Sequence, residues 1–194
     1  VKHCFIGDDF RFGKGRLGDF SMLKQASYEN NFTIEKLNSV LLDGIRVSSS
    51  AIRNFLADGN FTEAEKFLGR PFSISGKVAH GDKLGRTIGF PTANISIHRK
   101  LSPILGVYSV LVKLKSQTYN GVCNVGKRPT LEGKKTLLEV FIFDFNEEIY
   151  GEYATVIFKQ KCRDEKKFES FDELKKQINK DVEKSRLFFQ NNIS

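Results

Sequence analysis

Residues 137–145 read LLEVFIFDF, and the period of this stretch decides what kind of fold surrounds it. Leu137, Phe141, Phe143 and Phe145 occupy the odd positions, with Glu139 on the same side. Alternation of period two predicts a strand, because successive side chains of a pleated backbone point to opposite faces. The phenylalanines alternate as a barrel lining would. A carboxylate that shares a face with large apolar residues is costly to bury unless it has a partner or a task. Glu139 therefore has two open readings. One is an edge-strand glutamate at a barrel mouth, paired with Lys or Arg. The other is a catalytic group.

Four further stretches repeat the pattern: SISGKVAH (73–80), GVYSVLVKL (106–114), TYNGVCNVG (118–126) and YATVIFKQK (153–161). Each is short, rich in β-branched and aromatic residues, and bounded by turn residues. Five or six such strands after Pro71 predict a closed antiparallel six-stranded β-barrel. The chain then runs into SFDELKKQINKDVEKSRLFF (170–189), where Ser170 and Glu173 form a capping box. Phe171, Leu174, Ile178 and Val182 line one face of this C-terminal helix, which is expected to pack on the barrel.

Before Pro71 the grammar is different. VKHCFIG reads as a strand running into a glycine turn, SMLKQASYENN as a helix, and FTIEKLNSVLLDGIRVS as a pair of short strands. SSSAIRNFLADGN (48–60) is a serine-capped helix that stops at Gly59. In TEAEKFLGRP, Thr62 and Glu65 read as a capping box, with Gly69 and Pro71 as the stop. This is the pattern of the C-terminal part of an α/β domain. The expected domains are therefore 1–69 and 70–194.

The 194 residues carry 31 Lys+Arg and 23 Asp+Glu, a net charge of +8. Residues 1–69 hold 9 of each sign, so the whole excess sits in the second segment. A basic half suits nucleoside phosphates or nucleic acid, and it also suits a solvated Lys-rich surface. No apolar run approaches the roughly 18 residues that span a bilayer, so no membrane partner is expected. Cys4, Cys123 and Cys162 are odd in number, far apart and without a C-x-x-C pair. That predicts reduced thiols and a cytoplasmic location.

HGDKLGRTIGFPTAN (80–94) concentrates Gly81, Gly85 and Gly89 with Lys83, Arg86, Thr92 and Asn94. Glycines let backbone N–H groups approach an anion, and the oxygens of Thr92 and Asn94 are hard ligands suited to Mg²⁺. The G-x-x-x-x-G-K-[ST] loop is absent. Spacing alone leaves a glycine-rich hairpin turn open beside a phosphate-and-metal site.

GKVAHGDKLGRTIGFPTAN, followed in order by GVYSV, NVGKRPT, LEVFIFDF, YG and CRDEKKFES, resembles the riboflavin kinase domain from residue 70 to about 189. IGDDFRFGKGRLGD, VSSSAIRNFLADGN and FLGRPF resemble the tail of the FMN adenylyltransferase domain that precedes this kinase in bacterial bifunctional FAD synthases. The resemblance implies the end of a nucleotidyltransferase-type, Rossmann-like α/β domain followed by the barrel and helix. It implies ATP and riboflavin or FMN as substrates, with Mg²⁺ and without nucleic acid. The alternative from another class is a basic β-barrel module that binds RNA.

By the same resemblance, Thr92 and Asn94 hold the metal and the ATP phosphates. Gly81, Lys83, Gly85 and Arg86 cover the nucleotide, and Glu139 acts on the flavin's 5′-hydroxyl. Arg163 and Glu165 lie by the flavin. Ser49, Ser50 and Arg53 match the serine-rich nucleotide-binding motif of the adenylyltransferase half, with Val47 and Ser50 replacing the usual isoleucine and threonine. The adenylyltransferase motif G-x-F-D-G-x-H-x-G-H appears nowhere in these residues. His3, His80 and His98 stand outside any such context: His80 belongs to the glycine-rich motif, and His98 reads as an exposed loop residue. The expectation is an N-terminally incomplete version of the bifunctional enzyme.

Overall fold

The computed structural model describes residues 1–80, 89–96, 102–130 and 133–192, with backbone alone at 128–130 and 133–135. Gly81, Lys83, Gly85, Arg86 and His98 lie outside the described residues. The chain forms two compact units, Val1–Ala51 and Ile52–Ser194, so the change of grammar at Pro71 falls inside the second.

In the first unit β1 (His3–Gly7) pairs in parallel with β2 (Thr33–Leu37), and α1 (Phe20–Glu29) makes the crossover between them. Asp19 caps α1 by accepting the Met22 N–H at 3.0 Å. The stretch predicted as two strands holds three, because Asp43 and Gly44 fold it back once more. Both have positive φ, 51° and 76°, and they join β3 (Leu41–Leu42) to β4 (Ile45–Arg46).

α2 (Ser49–Ala57) is capped by Ser48, whose Oγ accepts the Ala51 N–H at 3.2 Å. α3 (Phe61–Leu68) starts one residue before the expected cap: Asn60, not Thr62, accepts the Glu63 N–H at 3.2 Å. Asparagine is the stronger cap, and the earlier start brings Phe61 into a buried cluster. Gly69, left-handed at φ 68°, ends the helix as expected.

Six strands then close an antiparallel barrel. They are β5 (Ser73–Ala79), β6 (Ala93–Ile95), β7 (Gly106–Leu114), β8 (Gln117–Thr130), β9 (Gly133–Ile142) and β10 (Tyr153–Arg163), in the order β10-β5-β6-β9-β8-β7. The interior is filled by Val78, Ile95, Tyr108, Val125, Leu138, Val140 and Val156, all at most 2% exposed. Phe61 from α3 joins Phe72, Tyr108 and Phe158 in this core, with ring centroids 5.4–6.4 Å apart.

The barrel lining on β9 is therefore its even positions and not Phe141 or Phe143, while Phe145 packs against the core cluster as expected. Phe143 clusters with Val107 and Val122 on the outer face, where Phe141, Val182 and Phe189 pack against it. On β9 the branched aliphatic Leu138, Val140 and Ile142 turn into the core, and Phe141 and Phe143 lie on the side of the helix. The same face carries Glu139.

α4 (Phe171–Asn191) covers that outer face, with Ser170 accepting the Glu173 N–H at 3.3 Å. Polar ties fix its register. Ser185 Oγ lies 2.8 Å from Ser109 Oγ, Lys184 donates to the Cys162 carbonyl at 2.8 Å, and Arg186 grips Asp144 through two bonds of 2.8 and 2.9 Å. These bonds from Arg186 hold the Asp144 carboxyl below its ordinary range. The strongest tie is Arg163 to Asp181, with Nε 3.0 Å from each carboxylate oxygen and Nη2 2.8 Å from Oδ2.

β10 carries two register shifts against β7, the second between Lys161 and Arg163. The extra residue brings Arg163 opposite Val107 and onto the outer face, the usual effect of a bulge. Gly106 permits this crowding. At φ 120° it lies so close to β10 that a Cβ would stand 2.5 Å from the Arg163 carbonyl oxygen.

Candidate active site

Register assembles the site. Glu139 on β9 stands directly opposite Asn94 on β6 and Asn124 on β8. The row continues through Val107 on β7 to Arg163 on β10. Partners in an antiparallel ladder present side chains to the same face, so two amides flank the carboxylate at about 5 Å spacing. Asn94 is 8% exposed and Glu139 is half-buried.

A cavity of about 320 Å³ opens over this row, between the outer barrel face and α4. Thr92, Asn124, Glu139, Arg163, Glu165 and Lys166 supply its polar wall. Val107, Val122, Phe141, Leu174 and Ile178 are among its apolar lining. Phe90 packs edge-on against Phe141 at 5.3 Å, which fixes the chain just before Pro91 and Thr92. A second cavity of about 170 Å³ shares Thr92 with the first and is lined by Pro91, Val78, Ile142, Phe145, Glu147, Glu148 and Tyr150 among others. Thr92 borders both cavities.

The expected residues are thus gathered unevenly. Thr92, Glu139, Arg163 and Glu165 meet in one cavity, and Asn94 stands beside Glu139 in the ladder. Asn94 sits within β6 rather than in a turn. Arg163 is also committed elsewhere, since its remaining Nη1 donates to the Asp164 carbonyl at 2.9 Å. It ties the helix and borders the cavity at once. Ser49 and Ser50 open α2 and Arg53 follows one turn later, all exposed.

Sequence reasoning missed Asn124, Lys166, Phe168 and Asp181. Asn124 lies within the quoted NVGKRPT stretch, but only register brings it against Glu139. The helix face expected to pack on the barrel divides in two. Val182 packs there, while Phe171, Leu174 and Ile178 border the cavity.

Cys4, Cys123 and Cys162 are free thiols. Burial pushes the Cys123 thiol well above its ordinary range, so it borders the site as an inert group. Among the described residues no group of three or more His, Cys, Asp or Glu is placed to hold a metal. Thr92 and Asn94 do suit a hard cation that takes its other ligands from phosphate and water.

Comparison with known proteins agrees with this fold. The model of the riboflavin kinase family (flavokinase) matches residues 68–189, and that of FAD synthetase matches residues 1–51. A bifunctional riboflavin kinase/FMN adenylyltransferase of Haemophilus influenzae is 55% identical over 190 residues, covering 97% of this chain and 62% of the relative. Its Escherichia coli K12 counterpart is 48% identical over 190 residues, covering 97% and 61%. The crystal structure of a macrolide-efflux protein from Streptococcus pneumoniae superposes with a TM-score of 0.69 at 36% identity, covering 97% of this chain and 59% of that one. The chain therefore spans about three fifths of the length of the curated relatives it matches. With the kinase match covering more than half of the residues and the barrel of that domain closed, the chain belongs to the riboflavin kinase family.

Proposed function

We propose that this chain transfers the γ-phosphoryl group of ATP to the 5′-hydroxyl of riboflavin, giving FMN and ADP. The observation that carries this reading is the position of Glu139, between Asn94 and Asn124, in the wall of a cavity that meets a second one at Thr92. Two substrates can then face each other across a threonine. The larger, apolar cavity suits the flat flavin, and the smaller suits the nucleotide. Phosphoryl transfer passes through a loose transition state, so positioning and charge stabilisation dominate. Thr92 and Asn94 would hold Mg²⁺ with the phosphates, which neutralises charge on the transferring group when bound. Glu139 orients the hydroxyl and accepts its proton late in the transfer. Lys83, Arg86 and the glycines at 81 and 85 are proposed to cover the nucleotide.

Ser49, Ser50 and Arg53 are proposed to contact nucleotide phosphates in the adenylyltransferase half of a longer parent, where FMN becomes FAD. Exposed serines at the opening of α2 support this, since a helix N-terminus presents free N–H groups to anions. We place the functional boundary near residues 69 and 70, where Gly69 ends α3 and β5 follows. We also infer a cytoplasmic location, supported by the three free thiols. No helix among the described residues is long and apolar enough to cross a membrane.

Incubating the chain with riboflavin, ATP and Mg²⁺ and resolving the flavins chromatographically tests the reading. FMN is expected, without FAD, because the histidine motif that would stabilise the transferring α-phosphate is not among these residues. FAD formed from FMN and ATP by this chain alone contradicts that expectation. RNA affinity that falls steeply with salt, in a chain that makes no FMN, would favour the RNA-binding alternative. Against that alternative, Phe141 and Phe143 are packed against Phe90 and the helix rather than offered for base stacking.

Replacing Asn94 with Ala is expected to weaken Mg·ATP binding about tenfold or more while the ligand-free thermal midpoint changes little. Titration calorimetry and a thermal scan of the same variant read both quantities. A large loss of apo stability with unchanged nucleotide affinity would make Asn94 a buried structural amide instead.

A further inference from the structure

The cross-strand row gives the proposed reaction a direction. Asn94 on β6 flanks Glu139 on one side, with Thr92 just before that strand bordering the proposed nucleotide cavity, and Asn124 on β8 flanks it on the other. An acceptor whose terminal hydroxyl lies at Glu139 must continue over the next strand. In riboflavin the atoms that continue are the three secondary hydroxyls of the ribityl chain. We infer that Asn124, with Glu165, reads those hydroxyls and so sets the enzyme's preference for a polyol side chain on the flavin. The inference rests on the kinase reading above and extends it to substrate discrimination.

Three observations carry it. Asn124 is the only amide side chain among the described residues lining the cavity, set between Glu139 and Glu165 on one hand and the apolar Val107, Val122 and Phe141 on the other. An amide offers an acceptor and two donors, a set that complements vicinal hydroxyls. Second, the nearby Arg163 has Nε, Nη1 and Nη2 engaged by Asp181 and the Asp164 carbonyl, which leaves little of it for a substrate. Third, Gly126 brings two polar groups together. The point where its Cβ would stand is 2.5 Å from Glu165 Oε1 and 3.3 Å from Asn124 Nδ2. Only the missing side chain lets the carboxylate and the amide converge over the strand beside Glu139.

The test measures dissociation constants by flavin fluorescence, for riboflavin and for an analogue whose chain is a plain 5-hydroxypentyl group. Asn124→Ala is expected to weaken riboflavin about tenfold and to leave the analogue within about twofold. The wild type's preference for riboflavin collapses accordingly. Asn124→Ser keeps a hydroxyl donor and acceptor, and it is expected to recover part of that preference. The serine variant reads the same ratio should the alanine variant not fold. An equal loss for both flavins, or no loss for riboflavin, overturns the inference. Wild-type turnover separates it from the reading beneath. If no FMN forms with ATP and Mg²⁺, both fall, whereas FMN formation with an unchanged ratio removes only the role of Asn124.

Discussion

Replacing Glu139 with Gln is expected to lower turnover by at least about 10²-fold while ATP and riboflavin still bind. Glutamine keeps the shape and a hydrogen-bond acceptor but cannot take up the proton of the 5′-hydroxyl. The alcohol need not be deprotonated in advance, because bonding to the nucleophile is weak at the loose transition state. In the proposed mechanism the carboxylate would supply orientation and a late proton acceptor, and such help is commonly worth about 10²- to 10⁴-fold. The position suits this task. Glu139 is half-buried in the cavity wall, flanked by an amide on either strand. Turnover and both dissociation constants must be measured in the same variant. Near-normal turnover removes Glu139 from the chemistry, and lost binding together with an unfolded barrel makes it structural.

Asp181→Ala is expected to cost about 3 kcal/mol of stability, the lower end for a broken buried ion pair. The Asp181 side chain is 7% exposed, while that of Arg163 is 22% exposed and gains partial hydration when its partner is lost. Gln177 also donates to Asp181 Oδ1 at 3.0 Å, so the deletion leaves two donors of the same region unpaired. Activity should respond unequally. Asp181 lies one helical turn from Ile178, which walls the larger cavity, so the KM for riboflavin should rise more than that for ATP. Urea denaturation and steady-state kinetics read the two effects. A stability loss under about 1 kcal/mol would mean that Val182 and Phe189 hold the helix without the ion pair.

The features legible in sequence were those written locally. The period of LLEVFIFDF marks β9, Ser170 with Glu173 marks the start of α4, and Gly69 marks the end of α3. Period two tells which residues share a face but not which face turns inward. Phe141 and Phe143 were thus expected to line the barrel, yet they pack outside it. The α3 cap shifted to Asn60 because burial of Phe61 adds to the better capping residue. Arg163 with Asp181, and Glu139 with Asn124, are partners brought together by strand register and helix docking, and no local pattern encodes either pair. For Thr92, Asn94 and Glu139 the residue chemistry leaves a site and a bland reading both open, the resemblance of motifs favours the site, and only register sets Asn94 beside Glu139.

Thr92, shared by two cavities, has a consequence for inhibitor design. On the proposed assignment of flavin and nucleotide to these cavities, a compound that joins a flavin-like ring to an adenosine through a spacer as short as the transferring phosphate would engage both across this residue. Once one end is seated, the other binds at an effective concentration set by the spacer, in the millimolar range for a short flexible link, roughly. Affinity then rises without any new contact, and a longer spacer forfeits the gain. Replacing Thr92 with Val keeps the volume but removes the hydroxyl of a residue that borders both cavities. It should therefore penalise the joined compound more than either half alone.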